Sequence, residues 1–556
     1  MPTLNWIGKE KVVSHHLDVP YRVLEHKYGF TADPSTGSGQ EQPEPTQSGN
    51  KIIHGDNLEA LKSLLPEYEG KIKCIYIDPP YNTGNESWVY NDNVNHPKIK
   101  KWLGEVVGKD GEDLTRHDKW LCMMYPRLKL LHKLLADDGA IFISIDENEI
   151  TSLRFFCNEI FGESNYISTI TVIVKPEGRR YGFFAKTHEY ILVFAKKASE
   201  LSLNEIEVEG TKYSYFDNDG GFNLKGLRNR NVKSFNSKNR PNLRYPFYVD
   251  SKNPDDNGLF EVSVEPIDNW KEVFASTVDG LESVWRWGKD KSKSQKKDLV
   301  AYQGNDDEIR IFQKERKLTQ TAKTNWDNKY FHSIRGTKEI NELLGKSVFD
   351  FPKPEMLIRQ ILSIGADEDD IILDSFAGSG TTAHAVLNLN KQDGGNRKFI
   401  LIEMEDYAND ITAERVKRVA KGYGSGSKAV AGTGGAFDFY ELGLPLFDEN
   451  QNLNEKVGVE KIREYIWFSE TRTSASLSVR VPSKEDKYLL GKKDESAYYF
   501  IYEKDRLTTL DFDALELIKT KGEQYVVYAD NCLLPKDFMA RKNIIFKKIP
   551  RDITRF

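Results

Sequence analysis

The sequence predicts an α/β fold with an open, mostly parallel sheet that helices cover on both sides. Three segments carry this prediction, since each joins a short apolar strand to a turn or a helix: residues 51–65, 71–84 and 370–386. A helix over residues 119–135 and a strand over residues 139–146 continue the alternation of strand and helix, which is typical of parallel sheets.

The first segment begins with the strand Lys51-Ile-Ile-His, turns at Gly55-Asp56-Asn57 and continues as an amphipathic helix with leucines at helical spacing. The sequence leaves two interpretations of Asp56 open. Its carboxylate caps the helix, which is sufficient to explain an acidic residue at this position, or it reaches a cofactor.

The second segment is a strand over residues 71–77 that leads into Asp78-Pro79-Pro80-Tyr81-Asn-Thr-Gly84. The prolines fix their own φ angles and restrict the residues before them, so the Asp78 carboxylate and the Pro79 carbonyl project in a set direction. Two acceptors beside one aromatic ring suit the exocyclic amine of a planar base. We therefore take Asp78, Pro79, Pro80 and Tyr81 as candidate catalytic residues. The alternative is an ordinary surface turn, because Pro-Pro and Asn-Thr-Gly are turn formers.

The third segment predicts a strand, a glycine-rich loop and a helix, the order found in nucleotide sites. Gly378 and Gly380 let the backbone approach a ligand. The helix start at Thr381 offers free N–H groups to an anion such as the carboxylate of S-adenosylmethionine. The loop lacks the Gly-Lys-Ser/Thr ending of a phosphate-binding loop, which disfavours ATP and GTP. The next strand ends at Glu403, which is either a ribose ligand or an ordinary strand-end acid.

These motifs resemble those of amino-type DNA methyltransferases of the permuted β class, and most closely the modification subunits of type III restriction-modification systems. The resemblance covers most of the chain and includes Lys186-Thr-His-Glu-Tyr-Ile-Leu-Val193, Arg240-Pro-Asn-Leu-Arg-Tyr-Pro246 and Phe351-Pro-Lys-Pro-Glu355. It implies a permuted, doubly wound Rossmann-like methyltransferase sheet, in which the Asp-Pro-Pro-Tyr turn precedes the Phe-x-Gly-x-Gly loop. It also implies S-adenosylmethionine as the cofactor and no metal ion.

Carried over to matching positions, the resemblance gives Asp78 through Tyr81 the catalytic role. The residues expected at the cofactor, from the motifs, the strand end and the helix start, are Asp56, Lys353, Pro354, Asp374, Phe376, Gly378, Gly380, Thr381 and Glu403. The implied reaction transfers a methyl group to N6 of an adenine flipped out of duplex DNA. Adenine is preferred to the N4 amine of cytosine because cytosine enzymes of this kind more often carry Ser in place of the Asp.

A basic segment lies between the two halves of the expected site. Residues 220–249 contain seven basic residues and no acidic residue, interleaved with aromatic residues. This mixture is typical of nucleic-acid contacts, and a second basic stretch follows at 285–297. The candidate DNA-binding residues are Lys225, Arg228, Arg230, Lys233, Lys238, Arg240 and Arg244. The alternative is a solvated loop whose rings pack in a core. The net charge of −6 argues only against indiscriminate coating of nucleic acid.

Composition bounds the class of protein. The length of 556 residues predicts three or four folding units. No apolar run approaches a membrane span and the first residues do not form a secretory signal, so we expect a cytoplasmic protein without membrane contact. The four cysteines are scattered, and the ten histidines form no ligand cluster. This pattern fits reduced thiols and no metal site.

The expected organisation is an N-terminal extension and linker (1–50), the catalytic half of the methyltransferase domain (51–200), an inserted, irregular target-recognition domain (201–345), the cofactor-binding half (346–445) and a C-terminal α/β docking domain (446–556). Residues 31–49 are expected to be a polar linker or loop. In the last part, the pattern predicts a helix from 458 to 467, strands at 498–502 and 524–528, and a helix over 512–519.

Three functions stay open at this stage. The leading hypothesis is a DNA adenine-N6 methyltransferase that serves as the modification and recognition subunit of a type III system. It would form a homodimer, bind double-stranded DNA and associate with a restriction subunit, a helicase–endonuclease. The second is a solitary regulatory adenine methyltransferase with the same site. The third is a catalytically idle DNA-recognition scaffold, against which the intact Asp78, Tyr81, Gly378 and Gly380 argue.

Overall fold

The computed structural model describes residues 4–83, 101, 104–105, 116–181, 183–207, 212–304, 306–316, 319–345, 348–481 and 483–555. Gly84, the last residue of the predicted turn, lies outside this set. The chain forms two compact units, one of residues 1–204 with 323–556 and the other of residues 205–322. The second unit is shorter than the segment 201–345 that the sequence sets apart, because the chain beyond residue 322 packs within the first unit.

The first unit is built on an eleven-stranded sheet. In spatial order its strands are Ser38–Gln42, Arg22–Asp33, Gly435–Pro445, Lys51–His54, Lys398–Glu403, Ile371–Asp374, Ile72–Ile77, Leu135–Ile145, His188–Ala195, Tyr166–Ile173 and Asn325–Trp326. The six strands from Gly435–Pro445 to Leu135–Ile145 are parallel to one another, and antiparallel pairs extend this run on both sides. The predicted open, mostly parallel sheet is confirmed.

The strand Ile72–Ile77 lies near the middle of this sheet. It pairs in parallel with Ile371–Asp374 on one side and with Leu135–Ile145 on the other. All of its residues are buried. A parallel strand covered on both faces has no solvent-facing side chains, which explains why its sequence is an apolar run without polar alternation. The interior parallel strand predicted for residues 71–77 is confirmed.

Helices cover both faces of the sheet. Ile75 and Ile77 pack in one core cluster with the helices Asn57–Tyr68 and Arg116–Leu134. Neighbouring strand residues point the other way, toward the helix Glu355–Gly365. A Cβ atom on Gly365 would come within 2.8 Å of the Phe142 ring, so glycine permits this close approach. The other helices of the first unit are Lys9–Val12, His15–Asp18, Ile150–Phe161, Ser333–Leu344, Thr381–Asp393, Glu414–Lys421, Val459–Thr471, Leu477–Arg480 and Lys536–Arg541.

The predicted N-terminal linker differs from the structure. The strand Arg22–Asp33 forms a hairpin with Ser38–Gln42 and also pairs with Gly435–Pro445, so part of the segment 31–49 belongs to the sheet. The pairing partner lies four hundred residues downstream, roughly, and no local pattern reports such a contact.

The C-terminal part has its own four-stranded sheet, in the order Leu489–Lys493, Ser496–Phe500, Gln524–Ala529 and Ile544–Lys548. The helix Val459–Thr471 and both predicted strands are present, within a few residues of the expected bounds. The helix predicted over 512–519 is wrong. Only a 3₁₀ turn, Ala514–Leu517, forms there. The Asp511 carboxylate accepts a hydrogen bond from the Ala514 N–H (2.9 Å), which competes with helical pairing of the backbone.

The second unit is a small β structure rather than an irregular insertion. A four-stranded sheet runs in the order Tyr215–Asp217, Gly220–Gly226, Ile309–Glu315 and Leu299–Gln303, and a three-stranded sheet in the order Val262–Ser263, Phe247–Val249 and Lys271–Val273. Their core includes Tyr245, Phe247, Trp285 and Trp287. These rings therefore pack inside, as the alternative interpretation of the basic segment states.

Two features are absent from the described residues. No helix among them has both the length and the apolar character to cross a membrane. No group of His, Cys, Asp and Glu side chains in the same part of the chain is arranged to hold a metal ion.

Candidate active site

The Asp-Pro-Pro-Tyr segment, residues 78–81, is here called the catalytic turn. It lies at the carboxyl end of the strand Ile72–Ile77, and Asp78 and Tyr81 are only 8% and 6% exposed. The indole Nε1 of Trp120 donates a hydrogen bond to the Pro80 carbonyl (2.6 Å), which fixes the backbone of the turn from the neighbouring helix. Burial of the turn argues against the alternative of an ordinary surface turn.

Three residues that the sequence analysis did not single out form a hydrogen-bonded anchor next to the catalytic turn. Asn82 is fully buried in a left-handed conformation (φ 59°), which Asn tolerates better than most residues. Its side-chain amide donates to Glu149 Oε1 and to the Arg116 carbonyl. His117 Nδ1 lies 2.6 Å from the same Glu149 oxygen. Glu149 and His117 come from distant segments, so the sequence gives no sign of their contact with the turn. The only local signal for this anchor is the Asn that directly follows the turn.

The cofactor loop, residues 375–380, leads from the strand Ile371–Asp374 into the helix Thr381–Asp393. Gly378 and Gly380 have φ angles of 52° and 79°. A Cβ atom on Gly380 would lie 2.9 Å from the Thr412 carbonyl oxygen, so this position needs glycine for space as well as for conformation. The Thr412 hydroxyl donates to the Gly378 carbonyl (2.5 Å) and holds the loop from the outside.

Two buried acids shape the cofactor loop. Asp374 accepts hydrogen bonds from the Thr382 hydroxyl (2.5 Å) and from the Phe376 N–H (3.0 Å). Burial raises the pKa of Asp374 to about 7. Glu403 accepts from the Gly378 N–H (2.7 Å) through one oxygen and from the Glu405 N–H (3.0 Å) through the other. The Glu403 carboxylate thus supports the loop backbone, whereas its expected contact with a ribose stays a prediction.

A buried arginine lies behind the loop and the helix start. Arg415 is fully buried, and its Nη1 donates to the hydroxyls of Ser379 (2.9 Å) and Thr381 (2.7 Å). The N-terminal N–H groups of the helix and this guanidinium place positive charge at the loop. Together with the glycines, they give a cradle that fits the carboxylate of S-adenosylmethionine.

A cavity connects the catalytic turn with the cofactor loop. Its lining includes Tyr76, Asp78, Phe349, Phe351, Pro352, Lys353, Asp374, Phe376, Gly378, Ser379, Thr381 and Thr382. Six expected residues, one catalytic and five for the cofactor, are thus brought together around one space. The ring of Phe376 and the residues at the ends of the strands form walls of this cavity.

Four expected cofactor residues do not line this cavity. Asp56 caps the helix Asn57–Tyr68 by accepting from the Leu58 and Glu59 N–H groups, and it lies 3.6 Å from Arg127 Nη2. The structure therefore shows capping, the first of the two interpretations. Pro354 is the N-cap of the helix Glu355–Gly365 and lines a different cavity. Gly380 ends the loop as the N-cap of the helix Thr381–Asp393, and Glu403 supports the loop backbone through the Gly378 N–H.

Tyr81 of the catalytic turn lines that second cavity. Among its lining residues are Tyr81, Asp146, His188, Glu189, Lys353 and Pro354. Burial raises the pKa of Asp146 to about 6. Because Phe351, Pro352 and Lys353 line both cavities, a ligand in the second cavity would approach one in the first near Asp78 and Tyr81.

Lys353 links the side chains at this junction. Its ammonium lies 2.9 Å from Asp78 Oδ1 and donates to the Tyr81 hydroxyl (2.6 Å), which in turn donates to Glu189 Oε2 (3.0 Å). Burial raises the pKa of Asp78, while the ammonium acts in the opposite direction. Burial lowers the pKa of Lys353, but the Asp78 and Glu189 carboxylates outweigh it and leave this pKa above its ordinary value.

The seven expected DNA-binding residues all lie in the second unit, and their surroundings divide them into three groups. Lys225 pairs with Glu315, and Arg244 pairs with Glu282 (3.2 Å) while donating to two carbonyls, so these two side chains are engaged in the fold. Arg228 is half-buried. The other four are exposed and lie on one loop, residues 229–240, here called the basic loop: Arg230, Lys233, Lys238 and Arg240.

The basic loop has internal support from a buried amide. Asn236 donates through Nδ2 to the Val232 carbonyl (3.0 Å) and accepts through Oδ1 from the Lys238 N–H (3.1 Å). The loop therefore presents exposed cations on a defined backbone. This arrangement suits contacts with phosphates, although no described side chain identifies a base sequence.

Comparison with known proteins gives one family match. A family model described as DNA methylase matches residues 72–414. The chain is 33% identical to the Type III restriction-modification enzyme EcoPI Mod subunit of Escherichia phage P1 over 458 residues, 75% of this chain and 68% of that protein. Residues 72–414 contain the catalytic turn, the second unit and the cofactor loop.

Two further relatives differ in the system that their names indicate. Type II methyltransferase M.KpnI of Klebsiella pneumoniae is 35% identical over 357 residues, 64% of this chain and 81% of that protein. The Type III restriction-modification enzyme StyLTI Mod subunit of Salmonella typhimurium is 33% identical over 405 residues, 68% of this chain and 58% of that protein. Both kinds of system therefore contain chains similar to this one.

Proposed function

The chain belongs to the DNA methylase family, and from this membership we propose that it methylates N6 of an adenine flipped out of duplex DNA, as the modification and recognition subunit of a type III restriction-modification system. It is an S-adenosylmethionine-dependent DNA methyltransferase. The catalytic residues of the proposal are Asp78, Pro79, Pro80 and Tyr81.

One observation carries the proposal. The catalytic turn and the cofactor loop follow adjacent parallel strands, and the side chains of Asp78 and Phe376 line the same cavity. In open α/β sheets, ligands bind outside the carboxyl ends of the strands, which is where both segments end. The two segments therefore border one space, in which we expect the cofactor and the target base to meet.

S-adenosylmethionine supplies an electrophilic methyl group when it is bound. The chain's own contribution is to hold the attacking amine. The Asp78 carboxylate and the Pro79 carbonyl accept the two amino N–H groups, and this pulls the nitrogen out of conjugation with the ring. As the nitrogen gains positive charge, preorganised acceptors stabilise it more strongly than they stabilise the neutral amine. Asp in the first position of the turn supports adenine rather than cytosine.

Tyr81 provides the surface on which the base stacks. Extruding a base from a duplex costs a few kcal/mol, and stacking on one aromatic side chain returns about 1–3 kcal/mol. The hydrogen bond from the Tyr81 hydroxyl to Glu189 fixes the orientation of the ring. The second cavity, which Tyr81 lines, would hold the base that stacks on this ring.

The proposal also gives roles to the second unit and to the C-terminal domain. The second unit would be the target-recognition domain, with the basic loop on the phosphates. The C-terminal domain from residue 446 would dock a restriction subunit, a helicase–endonuclease, and the enzyme would act as a homodimer in the cytoplasm. The names of the type III relatives, which describe Mod subunits of restriction-modification enzymes, support the association with a restriction subunit.

A second candidate is a methyltransferase that acts without a restriction subunit, which the similarity to M.KpnI favours. Long-read sequencing of DNA from cells that express this chain alone tests both. A single asymmetric motif with N6-methyladenine on one strand supports the type III assignment. A palindromic motif modified on both strands supports the second candidate, and DNA without new methyladenine contradicts both.

A further inference from the structure

Lys353 comes from the segment expected at the cofactor, yet its ammonium lies among the side chains of the catalytic turn. It is 2.9 Å from Asp78 Oδ1 and 3.4 Å from Glu189 Oε2. The side chain of Lys353 is 13% exposed, that of Asp78 is 11% exposed and that of Glu189 is 25% exposed. Two carboxylates thus share one cation at a mostly buried position, where charges interact more strongly than in bulk water.

The position of the ammonium conflicts with the chemistry proposed for Asp78. The target amine has to donate to the Asp78 carboxylate, and the Lys353 ammonium already lies at one of its oxygens. A fixed cation beside a nitrogen that gains positive charge would also oppose transfer. Departure of the ammonium from Asp78 would remove both conflicts, and Glu189 Oε2, 3.4 Å away, is a second carboxylate within reach.

We propose that Lys353 is a positioning residue that exchanges between two carboxylates. It pairs with Asp78 while no target base is bound and with Glu189 once the target amine donates to Asp78. The inference rests on the proposed function. It assigns Lys353 to the catalytic turn rather than to the cofactor, and it gives Glu189 the task of receiving the cation. Tyr81, hydrogen-bonded to both, keeps its ring in place during the exchange.

The groups around Asp78 set the expected pH dependence. Tyr76 and Tyr81 face it from its own strand and turn, Glu189 from the strand His188–Ala195, Asp374 from the neighbouring strand and Lys353 from the segment before the helix Glu355–Gly365. Burial and Glu189 favour the protonated carboxyl, and Lys353 favours the carboxylate. Loss of the ammonium should therefore raise the pKa of Asp78 further, so that the carboxylate becomes protonated at a higher pH.

Methyl transfer from tritiated S-adenosylmethionine to unmethylated genomic DNA, followed as a function of pH, tests the exchange. In Lys353→Gln the acid limb of the rate should move to higher pH by about 1–3 units, the usual effect of an adjacent opposite charge. In Glu189→Gln it should move to lower pH, because a carboxylate that opposes ionisation of Asp78 is gone. The rate on the plateau should also fall, since the cation has lost its second partner.

Lys73→Gln is the matched control. The Lys73 ammonium is similarly buried (10% exposed) and pairs with Asp138 of the neighbouring strand (2.7 Å). Lys73 lies near the start of the strand Ile72–Ile77, and Asp78 follows the end of that strand, so the loss of this ammonium should leave the pH profile unchanged. Unshifted profiles in both test variants, or shifts of both in one direction, would overturn the inference while an active wild type upholds the proposed function.

Thermal unfolding without DNA or cofactor gives a second readout. Without the ammonium, Asp78 and Glu189 repel each other once ionised, so the loss of Tm in Lys353→Gln should grow as pH rises. A loss that does not depend on pH overturns the pairing with Asp78. This result can be obtained even if the wild type fails to methylate DNA, in which case the proposed function falls for a separate reason.

Discussion

Cys74 and Ile372 lie opposite each other on adjacent parallel strands, although the second unit and several helices separate them along the chain. Their pairing places Asp78 and Asp374 at the same edge of the sheet. From there, the catalytic turn and the cofactor loop line one cavity. The order of the two segments in the sequence therefore does not prevent a single site.

Gly380→Ala tests the cradle of the cofactor loop. The new Cβ atom would lie 2.9 Å from the Thr412 carbonyl oxygen at a φ angle of 79°, so the loop must shift. We expect the Kd for S-adenosylmethionine, measured by calorimetry, to rise at least about tenfold, which corresponds to ~1.4 kcal/mol.

Gly394→Ala is the control for this variant. Gly394 ends the same helix with a φ angle of 78°, and its Cβ atom would meet nothing within 4 Å. It carries the conformational strain without the collision and should bind the cofactor normally. Equal affinities of the two variants would show that the space at Gly380 is irrelevant to binding.

Asn82→Ala tests the anchor of the catalytic turn. It removes the amide that donates to the buried Glu149 and puts Ala into a left-handed conformation. We expect a loss of about 1–3 kcal/mol in the free energy of unfolding, measured with urea. Asn148→Ala removes a similar amide–carboxylate contact, to Asp146, at a partly buried position, and should cost less. The reverse order would mean that the turn does not depend on Asn82.

Asp374→Asn tests the raised pKa of Asp374. This pKa rises from 3.8 to about 7 on folding, so the carboxyl favours the fold while protonated, and this contribution is lost as pH rises through about 7. The uncharged variant does not suffer that loss. Its Tm relative to the wild type should therefore improve between mildly acidic and mildly alkaline pH, without cofactor. A constant difference in Tm would contradict the assigned pKa.

We expect the exposed cations of the basic loop to contribute to DNA binding in a way that depends on salt concentration. Arg230→Ala and Lys233→Ala should each weaken binding and lower the slope of log K against log salt by about 1, because each phosphate contact releases counterions. Lys252→Ala, which removes an exposed lysine outside the basic loop, should leave the slope unchanged. Fluorescence anisotropy with duplex DNA measures these slopes, and identical slopes in all variants would remove the basic loop from the DNA surface.

The sequence predicted the elements that local pattern determines. The strands that end at Ile77, Asp374 and Glu403 are apolar runs, and the helix start at Thr381 follows its glycines directly. Contacts between distant segments were out of reach. Lys353 was expected at the cofactor because of its motif, and only the folded sheet brings its ammonium to Asp78. The same holds for the buried partner of Asn82.

Aromatic residues show a second limit of sequence reasoning. Phe222, Tyr245 and Phe247 are interleaved with basic residues in a pattern typical of nucleic-acid contacts, but they are buried in the second unit. In a strand, successive side chains point to opposite faces of the sheet, so alternating aromatic and basic residues can place the rings in a core and the cations in solvent. The same alternation would also fit a nucleic-acid binding surface. Exposure in the fold, and not composition, separates the two.

Methyl transfer to DNA by Asp78→Ala is the most direct test of the account. Tritium from labelled S-adenosylmethionine should enter DNA with the wild type and at least about 100-fold more slowly with the variant, the usual cost of losing one preorganised polar partner in a transition state. Binding of S-adenosylmethionine should persist, because the cofactor loop is intact. Near-normal transfer by the variant would contradict the assignment of the Asp78 carboxylate as the acceptor of the target amine.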